Sequence, residues 1–138
     1  YVLLSFWITN SPSADYQAKI QEAFTKIKDQ HPIRLVSVCV DEKPVDAAKF
    51  ILEKQLRLGS HAFTSGFAHR TLFDYGVRAI PSFWLISPDG KIAMSQYEFA
   101  MAFRTQPDLA QIIVNRIEGK DVPTPAPTPA APEAPKKD

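Results

Sequence analysis

GVRAIPSFWLISPDGKI, residues Gly76–Ile92, is the stretch that decides the fold. Ser82–Ser87 (SFWLIS) is apolar and rich in β-formers, and turn-making residues bound it, so it reads as a strand. Ser87-Pro88-Asp89-Gly90 sets proline and glycine where a tight turn uses them. Lys91–Ser95 then reads as a second strand, antiparallel to the first in a hairpin. Upstream, Gly76 closes a short helix expected over Phe67–Tyr75. Downstream, Leu109, Ile112, Ile113 and Ile117 fall near one face, and Pro107–Ile117 is expected to be the last helix.

Working outward, the rest of the chain alternates strands and helices. Tyr1–Trp7 (YVLLSFW) is nearly continuously apolar, as a strand buried on both faces is. Thr9–Ser13 breaks it with turn chemistry. Ser11 suits a helix N-cap and Pro12 the first helical position, where the missing N–H costs nothing. Ile20, Ala23, Phe24 and Ile27 follow at helical spacing, and the helix is expected to end by His31 because Pro32 disfavours helical geometry before it. Ile33–Val40 (IRLVSVCV) is a second buried strand. Val45–Leu58 reads as a second helix with Ala48, Ile51, Leu52 and Leu56 inward, Gln55 at the edge of that stripe and Gly59 as its stop. His61–Thr64 reads as a short edge strand. Strand-helix alternation ending in a hairpin and a helix argues an α/β sandwich with a mixed sheet.

Composition narrows the function. Of 138 residues, 16 are basic and 15 acidic, and none form the basic stripe of a nucleic-acid binder. One cysteine excludes a disulfide framework within the chain and any cysteine-built zinc site. No apolar run reaches the ~18–20 residues that span a bilayer. Six of the 12 prolines lie in Val122–Asp138 (VPTPAPTPAAPEAPKKD). The folded domain is therefore expected over residues 1–118. A disordered, semi-extended Pro/Ala-rich tail is expected over 119–138, serving as a spacer or as a ligand for a proline-binding module. The chain opens on Tyr1 with no charged leader or cleavage pattern, and is expected to be a mature or trimmed chain.

Three features coincide with a known family. Phe6-Trp7 ends a buried strand that runs into a helix start at Ser11-Pro12. Ile80-Pro81 directly precedes the third strand, and Ser87-Pro88-Asp89-Gly90-Lys91 turns the hairpin. Across residues 1–118 this resembles the thioredoxin superfamily, and most closely the bacterial TlpA/ResA-type thiol-disulfide oxidoreductases. The resemblance implies a thioredoxin-like fold with a β-α-β-α-β-β-α core, an N-terminal β-hairpin missing here, a cis peptide bond before Pro81, and an extracytoplasmic (periplasmic or envelope) setting. It also implies where the reactive thiols belong. The family's nucleophilic cysteine falls on Ser11 and its resolving cysteine on Ala14. The first thiol needs a helix N-terminus to stabilise its thiolate, and the second must lie one turn on to release the mixed disulfide. A hydroxyl and a methyl group supply neither function. A peroxiredoxin reading fails likewise, since its cysteine would also fall near Ser11.

The expected function is thus a thioredoxin-like module without dithiol chemistry, either holding an extended peptide or protein partner at the Pro81 loop or serving as a structural module of a larger chain. Its surface would comprise Trp7, Asn10, Ser11, Pro12, Ser13, Ile80, Pro81 and Ser82. No cofactor or metal is expected. The alternative is a redox protein acting through Cys39 or a partner thiol. Against that, Cys39 lies in an apolar strand, where cysteine behaves as a small hydrophobe. Ser11 as a hydrolytic nucleophile lacks a base or a nucleophile elbow. Trp7 and Trp84 read as core aromatics. His31, His61 and His69 have no metal-ligand spacing. Asp41 and Glu42 read as a solvated acidic turn.

Overall fold

The computed structural model describes residues 1–120. The hairpin is where the sequence places it: β4 (Ser82–Ile86) pairs antiparallel with β5 (Ile92–Met94), and Ser87 N–H donates to Lys91 O at 2.9 Å across the turn. At the centre of the sheet is β1 (Val2–Trp7), where Leu3 to Trp7 are all buried. It pairs antiparallel with β4 and parallel with β2 (Arg34–Cys39), which pairs parallel with the edge strand β3 (Ser60–Phe63). The strand order is β3-β2-β1-β4-β5, a mixed α/β sheet.

The long helix α1 (Pro12–Ile27) follows its sequence signals closely. Ser11 caps it by accepting the Ser13 N–H at 3.1 Å, and Ile20, Ala23, Phe24 and Ile27 are buried. Beside it lies α5 (Leu109–Ile117), which starts at the Asp108 cap rather than at Pro107. Leu3, Leu35 and Leu85 from the sheet meet Ile20, Phe24, Ile112 and Ile113 in one core. Each such buried side chain contributes roughly 1.5–3 kcal/mol. On the opposite face Leu4, Phe6, Val38, Val40 and Trp84 pack beneath Leu72 of α3 (Arg70–Asp74). That helix begins three residues later than the Phe67 start the sequence suggests, at a cap supplied by His69.

Three expectations are corrected. The second helix, α2 (Pro44–Glu53), stops well before Leu58, because Gln55 takes φ +54° and ends the helical geometry. Ala47 is its buried residue and Ile51 packs beside the same cluster; Leu56 is buried beyond the helix end, but Ala48 is exposed and Leu52 is 78% exposed, so half of the expected inward stripe faces solvent. Gly59 therefore does not stop a helix but carries the chain, at φ +83°, into β3. Finally, α4 (Gln96–Ala102) is a helix the apolar spacing did not suggest. It starts on a capping box: Ser95 Oγ accepts Glu98 N–H while Glu98 accepts Ser95 N–H at 2.7 Å. Burial works against the Glu98 carboxylate, but the Ser95 bonds and Arg116 hold it below the usual range. Glu98 thereby ties α4 to α5.

After α5, Gly119 turns at φ +68° and Lys120 N–H returns to Asn115 O. From Asp121 onward, the expected Pro/Ala-rich tail lies outside the described residues. Among those described, no helix is long and apolar enough to cross a membrane.

Candidate functional site

Phe6 and Ser82 face each other in the β1–β4 register. The Thr9–Ser13 loop that follows β1 and the Ile80–Pro81 pair that precedes β4 therefore leave adjacent strands at the same end of the sheet. The Ile80–Pro81 peptide bond is cis. Between α3 and β4, the backbone N–H groups of Arg78, Ala79 and Ile80 find no partner among the described residues. Arg78 and Ala79 are exposed, and Ile80 and Pro81 are half-buried.

The expected site residues divide into two groups. Asn10 and Pro12 are exposed and Ser11 is partly exposed, at the same end of the sheet as the half-buried Ile80 and Pro81. Trp7, Ser13 and Ser82 are 0%, 1% and 2% exposed, and none of them presents its side chain to a partner. Trp7 packs on Phe50 of α2. Ser13 Oγ donates to Ile8 O and accepts the Ile8 N–H, both at 3.1 Å, which locks the loop onto the helix start. Ser82 Oγ donates to Ala79 O and lies 2.9 Å from Gln96 Oε1, bracing the Pro81 turn against α4. The hydroxyl of Ser11 bonds to Ile8 O and to Ser13, and no imidazole is among its partners. Ala14 lies one turn on from Ser11, 5% exposed, and donates its N–H to Ser11 O at 3.0 Å.

Asp41 is the site residue that the sequence reading missed. It is 9% exposed, not a solvated turn residue. Its carboxylate accepts the Thr9 N–H at 3.0 Å, the Thr9 hydroxyl at 2.8 Å and the Cys39 thiol. The loop carrying Ser11 is thus clamped to the end of β2. Asp41→Asn replaces an acceptor by a donor within this cluster and is expected to cost about 1–3 kcal/mol. The shift appears as a lower urea midpoint at unchanged slope. Glu42 beside it is exposed, as the sequence suggests.

Cys39 itself is 1% exposed, enclosed with Trp7, Ala14 and Ala47. Burial, reinforced by its hydrogen bond to Asp41, pushes the thiol up to about 12. A second buried polar group, Gln17, lies inside α1 and donates to Ser5 Oγ at 3.2 Å. The histidines are locally engaged: His61 with Leu56 O, His69 as the α3 cap, and His31 3.8 Å from Glu118. Among the described residues, no group of three His, Cys, Asp or Glu side chains converges as metal ligands.

A cavity of about 340 Å³ opens beside Pro81, lined by Tyr16, Ser82, Gln96, Tyr97 and Phe103 among others. Tyr16 and Phe103 also line a second hollow of about 500 Å³ that runs along α1 to Lys26, Pro107 and Asp108. The two hollows share only Tyr16 and Phe103, and the second is otherwise lined by charged and aliphatic side chains.

No family model and no curated protein matches the chain. Solved structures do. A thiol-disulfide oxidoreductase from Bacteroides fragilis NCTC 9343 superposes with a TM-score of 0.68 at 19% identity, over 83% of this chain and 80% of that one. The thioredoxin domain of a thiol-disulfide oxidoreductase from Bacteroides vulgatus gives 0.64 at 19% identity, over 83% and 76%. A secreted Mycobacterium tuberculosis disulfide oxidoreductase gives 0.56 at 17% identity, over 72% and 76%. With its central β1, the helix capped at Ser11 and the Pro81 turn beside it, this chain has the thioredoxin fold in the form that thiol-disulfide oxidoreductases share.

Proposed function

We propose that this is a thioredoxin-fold module without dithiol chemistry, which holds an extended peptide against the Arg78–Pro81 segment in an extracytoplasmic setting. The observation that carries the reading is the pairing of Ser11 and Ala14 at the start of α1 with a lone thiol that is buried and held protonated. The setting is supported by the secreted protein among its structural neighbours. Peptide binding is supported by the unpaired N–H groups of Arg78, Ala79 and Ile80, since an extended chain gains affinity from just such main-chain donors. Asn10, Ser11 and Pro12 form the facing rim.

The alternative, redox turnover through Cys39, requires a thiolate that reaches its substrate. A shift from an ordinary 9.0 to about 12 lowers the thiolate fraction near neutral pH by about a thousandfold. Native Cys39 is therefore expected to react with iodoacetamide at least that much more slowly than the urea-unfolded chain. Its rate should rise with pH up to about 12. The same shift sets an alkaline stability trend. Between pH 9 and about 12 the folded chain keeps a proton that the unfolded chain has lost, so stability falls as pH rises through that window and is flat below it.

Two measurements test the proposal. Insulin reduction by dithiothreitol should run no faster with the chain than without it. Carboxymethylated insulin B chain, an unfolded polypeptide with no free thiol, should shift the amide resonances of Arg78, Ala79 and Ile80. Turnover above background, or amides that stay still at saturating peptide, would overturn it.

A further inference from the structure

We infer that a single water molecule is built into the core between α1 and the sheet, held by Gln17, Ser37 and His61.

The strand pattern sets up the site. Leu3, Ser5 and Trp7 of β1 alternate onto the face beneath α1, and they pair in register with Leu35, Ser37 and Cys39 of β2. The helix meets them in steps of three residues. Ile20 shares a cluster with Leu3 and Leu35, Gln17 bonds Ser5, and Ala14 shares a cluster with Trp7 and Cys39. A polar layer therefore lies between two apolar ones. One strand further out, His61 of β3 pairs with Ser37 and so faces the same side. Ser5, Ser37 and His61 form a row across three neighbouring strands, about 4.8 Å apart.

The hydrogen bonds of this layer do not close. Ser5, Ser37 and Gln17 are 0%, 1% and 1% exposed. Gln17 Nε2 donates to Ser5 Oγ at 3.2 Å, yet Gln17 Oε1 has no partner among the described residues. Neither has Ser37 Oγ nor His61 Nδ1, and all three atoms are buried. His61 Nε2 lies 2.9 Å from Leu56 O, which can only accept. In the neutral ring that nitrogen carries the proton, and Nδ1 is an acceptor. Buried polar groups are almost always paired, and desolvating three of them without partners is costly.

The three groups cannot satisfy one another. Gln17 Oε1 and His61 Nδ1 both accept, and Ser37 has one proton for the two of them. The layer holds no charged side chain, so the ligand that fits is neutral. Two acceptors flanking one hydroxyl ask it for two protons and one lone pair. Water supplies these: it donates to Gln17 Oε1 and to His61 Nδ1, and it accepts the Ser37 O–H. Three such bonds are what a buried water typically makes. The register places it over Ser37, with His61 on one side and Ser5, beneath Gln17, on the other. The water thereby ties the edge strand β3 to α1, one layer beneath Trp7, Cys39 and the loop that carries Ser11.

The test uses the full chain in solution. Water oxygen relaxation dispersion, which counts long-lived internal waters, is recorded beside the nitrogen resonances of the His61 ring. In the parent, Nδ1 should resonate as a hydrogen-bonded acceptor and Nε2 as a protonated nitrogen. Gln17→Leu with Ser37→Val replaces two of the three partners by apolar groups and fills the space over Ser37. It should lower the count by one and move Nδ1 to the position of an unbonded acceptor. Gln17→Met keeps the length of the side chain, removes one bond of the three and should speed exit of the water about tenfold. Three results overturn the inference: no long-lived water in the parent, a count that the double variant leaves unchanged, or an Nδ1 resonance that the double variant does not move. Where the double variant does not fold, Gln17→Met decides alone, and an unchanged exit rate there overturns the inference.

Discussion

Ser11→Cys combined with Ala14→Cys should convert the chain into a dithiol reagent that turns over insulin, where the parent does not. The two positions lie one turn apart at the start of α1. Ser11 is the N-cap of α1, in extended conformation, and its Oγ accepts the Ser13 N–H at 3.1 Å. A thiolate at that point takes over the same donor and faces the positive end of a sixteen-residue helix. Its pKa is expected in the range of roughly 3.5–7.5 found for thiols at helix N-termini, against ~8.5 for a free one. Position 14 lies one turn on. A sulfur there adds an atom to the cluster of Trp7, Cys39 and Ala47, and overpacking of that kind costs about 1–3 kcal/mol. Ser11→Cys alone should trap a mixed disulfide and stop; the second thiol resolves it. The pH profile of alkylation at position 11, the equilibrium with glutathione and the insulin assay measure the three steps. A folded double variant whose thiol titrates at the ordinary value, with no internal disulfide, would remove the basis for assigning these two positions.

The second large effect concerns stability. Gly59 enters β3 at φ +83°, and a Cβ placed there meets Leu35 O at 2.6 Å, with the Leu35 Cβ and Cγ at 2.7 and 2.8 Å. Leu35 is 2% exposed in β2, so backbone on a central-sheet neighbour would have to move. Gly59→Ala combines left-handed strain with overpacking and is expected to cost roughly 3–4 kcal/mol. Against a typical total of about 5–15 kcal/mol, that is a large fraction. Gly90 supplies the control: at φ +80° its added Cβ meets nothing within 4 Å. Gly90→Ala should cost only the conformational part, about 1–2 kcal/mol. Urea midpoints at constant slope separate the two. Equal losses would mean that β2 and the entry to β3 do not approach as closely as the structure has them.

What the sequence made legible is what local chemistry decides. The helix start at Ser11-Pro12, the buried strands and the Ser87–Lys91 turn each follow from a few adjacent residues. The errors arose where a distant partner or a single dihedral angle decided the outcome. Gln55 looked like a polar break in an apolar stripe and is the residue that ends α2. Leu52 fits a helical stripe yet is 78% exposed, because α2 meets the core through Ala47 and Ile51 on another face. The Ser95-x-x-Glu98 signature of α4 was present in the sequence, but it was absorbed into the expected strand end. Asp41 was beyond local reading altogether: its loop partner Thr9 is 32 residues away, and only the parallel pairing of β1 with β2 brings them together.

The Asp41 clamp has a practical consequence. The carboxylate oxygen that holds the Thr9 backbone also accepts the Cys39 thiol, so an opening that frees the sulfur breaks a bond to the same group that anchors the turn before α1. Cys39 is therefore a native clock for breathing at that end of the sheet. With modification slow relative to reclosing, the ratio of its native to its unfolded labelling rate, corrected for the thiolate fraction, is an opening equilibrium constant. A ligand seated on the Asn10–Pro12 rim should slow that clock without touching the sulfur, which makes a single unmodified cysteine a binding assay.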